Sequence, residues 1–200
     1  MPWANDGGAS LNSTKCVPVV ANPDLPGETC TAEDYGLSGV DTCDFGAVCV
    51  NVDYETGEGY CVSQCVGPYE CPAPGFHCQV VSSGVENFCF PACDPVLQDC
   101  AEGLSCRPSL QGDFVCLWYW SGDGGGYGAS CEYPNQCDPG LYCMNSEYIE
   151  GCQAAGCCTP WCDTTKPNTC PGATQECIPW YEEGMGPPGF ENVGICGIPQ

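Results

Sequence analysis

The segment GCQAAGCCTPWC, residues 151–162, places four cysteines in twelve positions. Cysteines at this density either bind a metal as thiolates or join in disulfides. Thiolate metal sites favour C-x-x-C or C-x-C spacing, and this chain contains neither. The last five residues, CTPWC, instead follow a C-x3-C spacing that recurs as CVSQC (61–65) and CFPAC (89–93). The spacing therefore favours disulfides and a fold that depends on them.

Cysteine makes up 23 of the 200 residues. A cysteine content above about 8–10% is typical of secreted disulfide scaffolds. Persistent disulfides require an oxidising compartment, because a reducing cytosol keeps thiols free. We therefore predict a protein that is secreted or lies at a cell surface.

The chain is strongly acidic, with 26 Asp and Glu residues, 3 Lys and Arg residues and a formal net charge of −23. Nucleic acids and anionic membrane surfaces attract cationic proteins, so we expect neither as a partner. Acidity of this kind suits divalent cations, cationic partners or plain solubility.

The sequence contains no run of 18 apolar residues, so we expect no membrane insertion. Its start, MPWANDGG, has neither the basic region nor the apolar region of a signal peptide. We therefore expect that any secretory leader is absent from this chain. Asn12 begins an Asn-Ser-Thr sequon and is a glycosylation candidate.

Twenty of the cysteines fall into five copies of one four-cysteine unit, whose members we call a, b, c and d. Five or six residues separate b from c in every copy, and three residues separate d from the next a where two units adjoin. The units are Cys30, Cys43, Cys49, Cys61; Cys65, Cys71, Cys78, Cys89; Cys93, Cys100, Cys106, Cys116; Cys131, Cys137, Cys143, Cys158; and Cys162, Cys170, Cys177, Cys196.

Each segment between b and c contains one glycine, namely Gly46, Gly75, Gly103, Gly140 or Gly172. Glycine tolerates a positive φ, which tight turns need. We therefore predict a turn with a positive-φ glycine in every unit.

The segments between c and d alternate in polarity around glycine-containing turns in the first three units, near 55–59, 82–84 and 111–112. Such segments predict short β-hairpins, and no stretch has a helical period. Each unit is too short to bury a large core, so covalent bridges must stabilise it. We predict a small disulfide-rich fold, an elongated series of short β-hairpin modules with little or no helix.

The segment LWYWSGDGGGYGAS (117–130) ends in a glycine-rich stretch that predicts a flexible connector between two lobes. We expect a flexible segment at 1–15, an N-terminal lobe at 16–116, a linker at 117–130 and a C-terminal lobe at 131–200. The first lobe would hold the units at 30–61, 65–89 and 93–116, and the second lobe those at 131–158 and 162–196.

Four cysteines allow three pairings, and spacing alone leaves these alternatives open. The a, b, c, d spacing with its glycine turn resembles the first half of epidermal-growth-factor-like (EGF-like) repeats and the four-cysteine modules of tumour necrosis factor receptors. The segment ending CDPGLYC (131–143) is also similar in spacing to the Dickkopf and colipase families. The first resemblance implies that a pairs with c and b with d: Cys30–Cys49, Cys43–Cys61, Cys65–Cys78, Cys71–Cys89, Cys93–Cys106, Cys100–Cys116, Cys131–Cys143, Cys137–Cys158, Cys162–Cys177 and Cys170–Cys196.

A second resemblance covers nearly the whole chain. Four segments resemble a family of cysteine-rich secreted proteins of myxobacteria: PDLPGETC (23–30), DPVLQDC (94–100), YGASCEYPNQCDPGLYC (127–143) and QECIPWYEEGMGPPGFENVGICGIP (175–199). Some members bear the label ribulose-phosphate epimerase. That activity implies a TIM barrel of about 250 residues with repeated βα units. The present sequence has no such pattern, so we expect no epimerase.

Three cysteines remain outside the five units. Cys158 fits position d of the fourth unit because three residues separate it from Cys162. Cys152 and Cys157 are then expected to pair with each other. Cys16 is left over, and we predict that it is unpaired or bonded to another chain.

Catalytic and metal-binding chemistry has few candidates. His77 is the single histidine, and a catalytic triad also needs a positioned partner, so we interpret His77 as structural and expect no enzyme. Asp53, Glu55 and Glu58 are weak calcium candidates, because Ca²⁺ takes several oxygen ligands from a turn. We expect no other cofactor.

Aromatic residues are dense in the second half of the chain. Exposed Trp and Tyr side chains are frequent anchors of protein interfaces. We predict a binding patch formed by Trp118, Tyr119, Trp120, Trp161, Trp180 and Tyr181. The alternative is that Trp118 and Trp120 pack between the two lobes.

These observations predict a secreted, non-enzymatic protein with a structural, adhesive or binding role. Its partner would be a protein or glycan at a cell surface, or further copies of the chain in a surface assembly or filament. One alternative is a secreted metal-binding protein, with calcium on carboxylates or a soft metal on thiols. An enzyme is the third interpretation.

Overall fold

The computed structural model describes residues 3–4, 13–14, 16–66, 70–81, 86–109, 111–119 and 124–200. Short 3-10 turns occur at Pro134–Gln136 and Ser146–Tyr148, and Glu33–Gly36 is an irregular turn in which Asp34 and Tyr35 have positive φ. The strands of the described chain are β1 (Trp3–Ala4), β2 (Ser13–Thr14), β3 (Thr29–Thr31), β4 (Ala47–Val50), β5 (Glu58–Ser63), β6 (Phe76–Val81), β7 (Glu86–Pro91), β8 (Leu104–Pro108), β9 (Phe114–Trp118), β10 (Ser130–Cys131), β11 (Leu141–Asn145), β12 (Gly156–Asp163), β13 (Glu176–Pro179) and β14 (Val193–Gly197).

The strands that carry c and d pair with each other in all five units, as β4 with β5, β6 with β7, β8 with β9, β11 with β12 and β13 with β14. Antiparallel neighbours of this kind are what the alternating segments around glycine turns predict. Eleven disulfides join the described strands and loops. The prediction of a small disulfide-rich β fold is confirmed.

The chain divides into two compact bodies, Met1–Phe90 and Pro91–Gln200. The N-terminal body holds the first two four-cysteine units, and the C-terminal body holds the other three. The boundary therefore lies at Phe90 and Pro91, whereas the sequence led us to expect it at 117–130. The physical reason is that Phe114 of the third unit packs against Trp161 and Phe190, which places that unit with the fourth and fifth.

The N-terminal body contains a three-stranded sheet in the order β3-β5-β4 and the separate pair β6-β7. A core cluster of four cysteines and Ala47 lies against the three-stranded sheet. Strands β1 and β2 also pair with each other, inside the segment at 1–15 that we expected to be flexible.

The C-terminal body contains the pair β8-β9 and a five-stranded sheet in the order β10-β12-β14-β13, with β11 on β12. Strand β12 carries both Cys158 and Cys162, so it belongs to the fourth and the fifth unit at once. Its first half pairs with β10 and β11, and its second half pairs with β14. The fourth and fifth units are therefore fused through one strand rather than joined as separate hairpins.

A β-turn precedes strand c in at least four units. The backbone N–H two residues before c donates to the carbonyl five residues before c, as from Leu104 to Ala101 at 3.1 Å and from Leu141 to Asp138 at 3.0 Å. The third turn residue is Gly103 in the first case and Gly140 in the second, with φ of 82° and 83°. A type II turn requires this positive φ.

The expected positive-φ glycine is present at Gly46, Gly75, Gly103 and Gly140, but the prediction is wrong for Gly172. Gly172 opens its turn instead of standing third, and Gln175 donates to its carbonyl at 3.2 Å. Glycine is needed there for space, because a Cβ would lie 2.6 Å from Oε1 of the buried Gln175.

Candidate functional site

Strand register brings the cysteine sulfurs to one face of the hairpin in four of the units. Cys49 lies directly opposite Cys61, Cys106 opposite Cys116, Cys143 opposite Cys158 and Cys177 opposite Cys196. Residues directly opposite each other in an antiparallel pair project to the same face. In these four units the c and d side chains therefore reach the same side of the hairpin, where a is bonded to c and b to d.

The disulfides run from a to c and from b to d in every unit, and Cys152 is bonded to Cys157. This is the pairing that the EGF-like and receptor-like spacing implies. Three sulfurs of each unit lie within 4.8 Å of one another. Among the described residues, these five trios are the only groups of three possible metal ligands that lie this close together. Every cysteine in them is bonded in a disulfide. The two stacked disulfides thus act as the centre of each unit.

An aromatic cluster forms a core of the C-terminal body. Phe114 is 0% exposed, and its ring lies 5.1 Å from that of Trp161, edge to face. The Trp161 ring lies 4.9 Å from that of Trp180, also edge to face, and 5.3 Å from that of Tyr142, with the two planes tilted. Edge-to-face rings at these distances stabilise a core beyond the area that they bury. The cluster holds β9, β11, β12 and the segment after β13 together.

This cluster changes the interpretation of the predicted aromatic patch. Trp161 is only 7% exposed, and Trp180 and Tyr181 are partly buried against the same core. The Tyr181 hydroxyl donates to the Gly112 carbonyl, and burial raises the pKa of Tyr181 to about 12. These three residues therefore hold the body together. Trp118 and Tyr119 are half-buried, and Trp120 lies outside the described residues.

Arg107 is the only arginine of the chain and is buried, at 4% exposed. It lies on β8, where its Nη1 donates to the Pro134 carbonyl and its Nη2 to the Cys137 carbonyl at 2.9 Å. Burial lowers the pKa of Arg107 to about 10, so the guanidinium remains charged at neutral pH. The planar guanidinium thereby fastens the third unit to the 3-10 turn of the fourth.

Arg107→Met is expected to destabilise the C-terminal body by about 1–3 kcal/mol. The change leaves the buried Cys137 carbonyl without its Arg107 donor, and a buried unsatisfied group costs about 1–3 kcal/mol. The part-buried Pro134 carbonyl still accepts from the Cys137 N–H at 3.3 Å. Denaturant unfolding with the disulfides intact measures the loss. Lys166→Met is the matched control, since it removes one exposed positive charge from the same body and should change stability by less than about 0.5 kcal/mol. Equal losses in both variants would show that net charge, not the hydrogen bonds, is responsible.

The first unit has a sheet face that its disulfides leave uncovered. Along β3 and β5 the cysteines Cys30 and Cys61 are buried, while the alternate residues Thr29, Glu58 and Tyr60 are exposed. Thr29 is directly opposite Tyr60, and Thr31 opposite Glu58. We call the surface formed by Thr29, Thr31, Glu58 and Tyr60 the open face.

An open cleft of about 440 Å³ lies at the open face, lined by Thr29, Asn51, Asp53, Thr56, Glu58, Gly59 and Tyr60. Two of the three calcium candidates, Asp53 and Glu58, line this cleft, while Glu55 is exposed in the turn between β4 and β5. Oδ1 of Asp53 accepts hydrogen bonds from the Thr56 N–H at 2.9 Å and the Glu55 N–H at 2.8 Å. Tyr60 was not among the sequence candidates, although the sequence indicated its position. Tyr60 precedes the buried Cys61 on β5, and successive strand residues project to opposite faces, so Tyr60 lies on the face away from the disulfides.

Two other sequence candidates lie away from this cleft. His77 is half-buried on β6, and Cys16 is exposed and takes part in none of the eleven disulfides. Cys16 lines a smaller cavity of about 220 Å³ beside Asp41 and Phe45. The glycosylation candidate Asn12 lies outside the described residues.

The hairpins and stacked disulfides define a class, the small disulfide-rich β proteins. No family model, characterised protein or solved structure matches this chain. Within the described part of the chain, no helix is long and apolar enough to span a membrane.

Proposed function

We propose that this protein works outside the cytoplasm as a non-enzymatic binding or structural module at a cell surface. The observation that carries the proposal is that disulfide-bonded cysteines make up most of the core in the first and fourth units, and that the two bridges of every unit lie close together. Such a unit depends on oxidised cysteines, and these persist only in an oxidising compartment.

The way the units bury their residues also supports a binding role. When disulfides cover one face of a short sheet, the other face remains in contact with solvent, as at the open face of the N-terminal body. Large aromatic side chains of that body are exposed as well, including Tyr35, Phe45 and Tyr54. Exposed aromatic groups on a rigid scaffold are suitable anchors for a protein or glycan partner.

Localisation in the source organism tests this proposal. An antibody raised against the oxidised chain should stain intact cells or detect the protein in the culture medium. External protease should remove the cell-bound signal, while a cytosolic marker protein stays intact. A chain found only in the cytosolic fraction, with its cysteines open to alkylation without reductant, would exclude the proposed function.

A further inference from the structure

We propose that the open face of the N-terminal body binds the cationic side chains of a basic polypeptide, with a lysine ammonium or arginine guanidinium seated in the cleft between Asp53, Glu58 and Tyr60. The proposal rests on the extracellular binding function and specifies the chemistry of its partner.

The geometry of the sheet brings these three groups together. Glu58 and Tyr60 are two residues apart on β5, and alternate strand residues project to the same face. Asp53 closes the cleft from the turn that precedes β5, where its own backbone N–H donates to the Glu58 carbonyl at 2.8 Å. The cleft volume of about 440 Å³ lies within the range of known ligand sites, about 300–1,000 Å³.

The charge of the surroundings favours a cation. Residues 16–90 contain eleven Asp and Glu residues and no Lys or Arg, so no basic side chain within that range neutralises the cleft. The hydrogen bonds from Thr56, then Glu55, hold the pKa of Asp53 below its ordinary value. Asp53 is therefore ionised at neutral pH. Complementary charge of this kind selects partners and speeds their association.

The remaining groups of the cleft suit a long, flexible cationic side chain. Tyr60 is 46% exposed, and an aromatic face attracts ammonium and guanidinium groups. Thr29 and Asn51 add a hydroxyl and an amide at the cleft wall. A neutral sugar could use the ring, hydroxyl and amide, but it would leave two carboxylates without a countercharge. The pair of carboxylates therefore favours the cationic occupant.

Titration calorimetry of the oxidised full chain with acetyl-pentalysine amide, at low ionic strength, tests the proposal. We expect binding by the parent chain and at least tenfold weaker binding by Asp53→Asn/Glu58→Gln. Asparagine keeps the oxygen that accepts the turn hydrogen bonds, so the turn should persist. Tyr60→Ala should weaken binding about two- to fivefold, as an exposed cation–π contact predicts.

The matched control is Glu33→Gln/Glu70→Gln, which removes two exposed charges from the same body and should change the Kd by less than about twofold. Equal weakening by both double variants would overturn the proposal, because only overall charge would then matter. It would also be overturned by no binding of the peptide, by tighter binding of Ca²⁺ than of the peptide, or by Tyr60-dependent binding of a neutral oligosaccharide alone. None of these results would affect the localisation test.

Discussion

Reduction of the disulfides is expected to unfold both bodies of the chain. Fifteen of the twenty-six buried apolar residues in the described chain are cysteines, so the sulfur bridges are most of the core. Each bridge contributes about 2–4 kcal/mol, whereas a folded domain is stable by only about 5–15 kcal/mol in total. The loss of several bridges therefore exceeds the stability that is available.

Amide dispersion in NMR spectra, recorded before and after addition of a phosphine reductant, measures this effect. The dispersion should collapse as the cysteines become reactive to an alkylating agent. Reoxidation after removal of the reductant is the control, and it should restore the original spectrum. A fully alkylated chain that keeps native dispersion would show instead that the apolar side chains suffice without the bridges.

The second large effect is expected for Phe114→Ala, at about 3–5 kcal/mol of lost stability in the C-terminal body. Removal of a large, completely buried ring leaves a cavity that its neighbours fill only in part. The ring contacts Trp161 of β12 and Phe190 near β14, so the third and fifth units should lose stability together. Denaturant unfolding followed by tryptophan fluorescence measures the change.

Phe45→Ala is the matched control, because Phe45 is 86% exposed. It should alter stability by less than about 0.5 kcal/mol. The shared core would be contradicted if Phe114→Ala cost less than about 1 kcal/mol, or if the third unit unfolded in a separate step from the other two.

The repeat made the local structure predictable. Regular cysteine spacing located the five hairpins. Cys158 could be assigned to position d of the fourth unit because CTPWC has the same spacing as CVSQC and CFPAC. Four of the five glycines adopt the expected turn conformation because each stands three residues before its c cysteine. Gly172 stands five residues before Cys177. This different distance from c was the sign in the sequence that Gly172 would not adopt the turn conformation of the other four glycines.

Tertiary packing was not predictable from the same pattern. Trp161 appeared to belong to a surface patch because aromatic density does not distinguish core from surface. The fusion of the fourth and fifth units along β12 places Trp161 opposite Ile195 and buries it. The role of Arg107 was also missed, although a single arginine beside a c cysteine in so acidic a chain is itself unusual.

Part of the candidate site could be predicted from the sequence, since Asp53 and Glu58 were two of the three weak calcium candidates in the first hairpin. The register between β3 and β5 places Thr29 beside Tyr60 on the face that also carries Glu58, and this register was not predicted. The cysteines fix that register, because a shift of one residue would turn Cys30 and Cys61 toward solvent.

The central claim, that an a–c and a b–d disulfide together stabilise each unit, is tested most directly by a disulfide map. The chain is digested at acidic pH without reductant and the linked peptides are identified by mass spectrometry. We expect a–c and b–d bridges in all five units, with Cys158 bonded to Cys137 and Cys157 to Cys152. A bridge from a to b or from c to d, or thiols that react without reductant at any of these twenty-two cysteines, would contradict the claim.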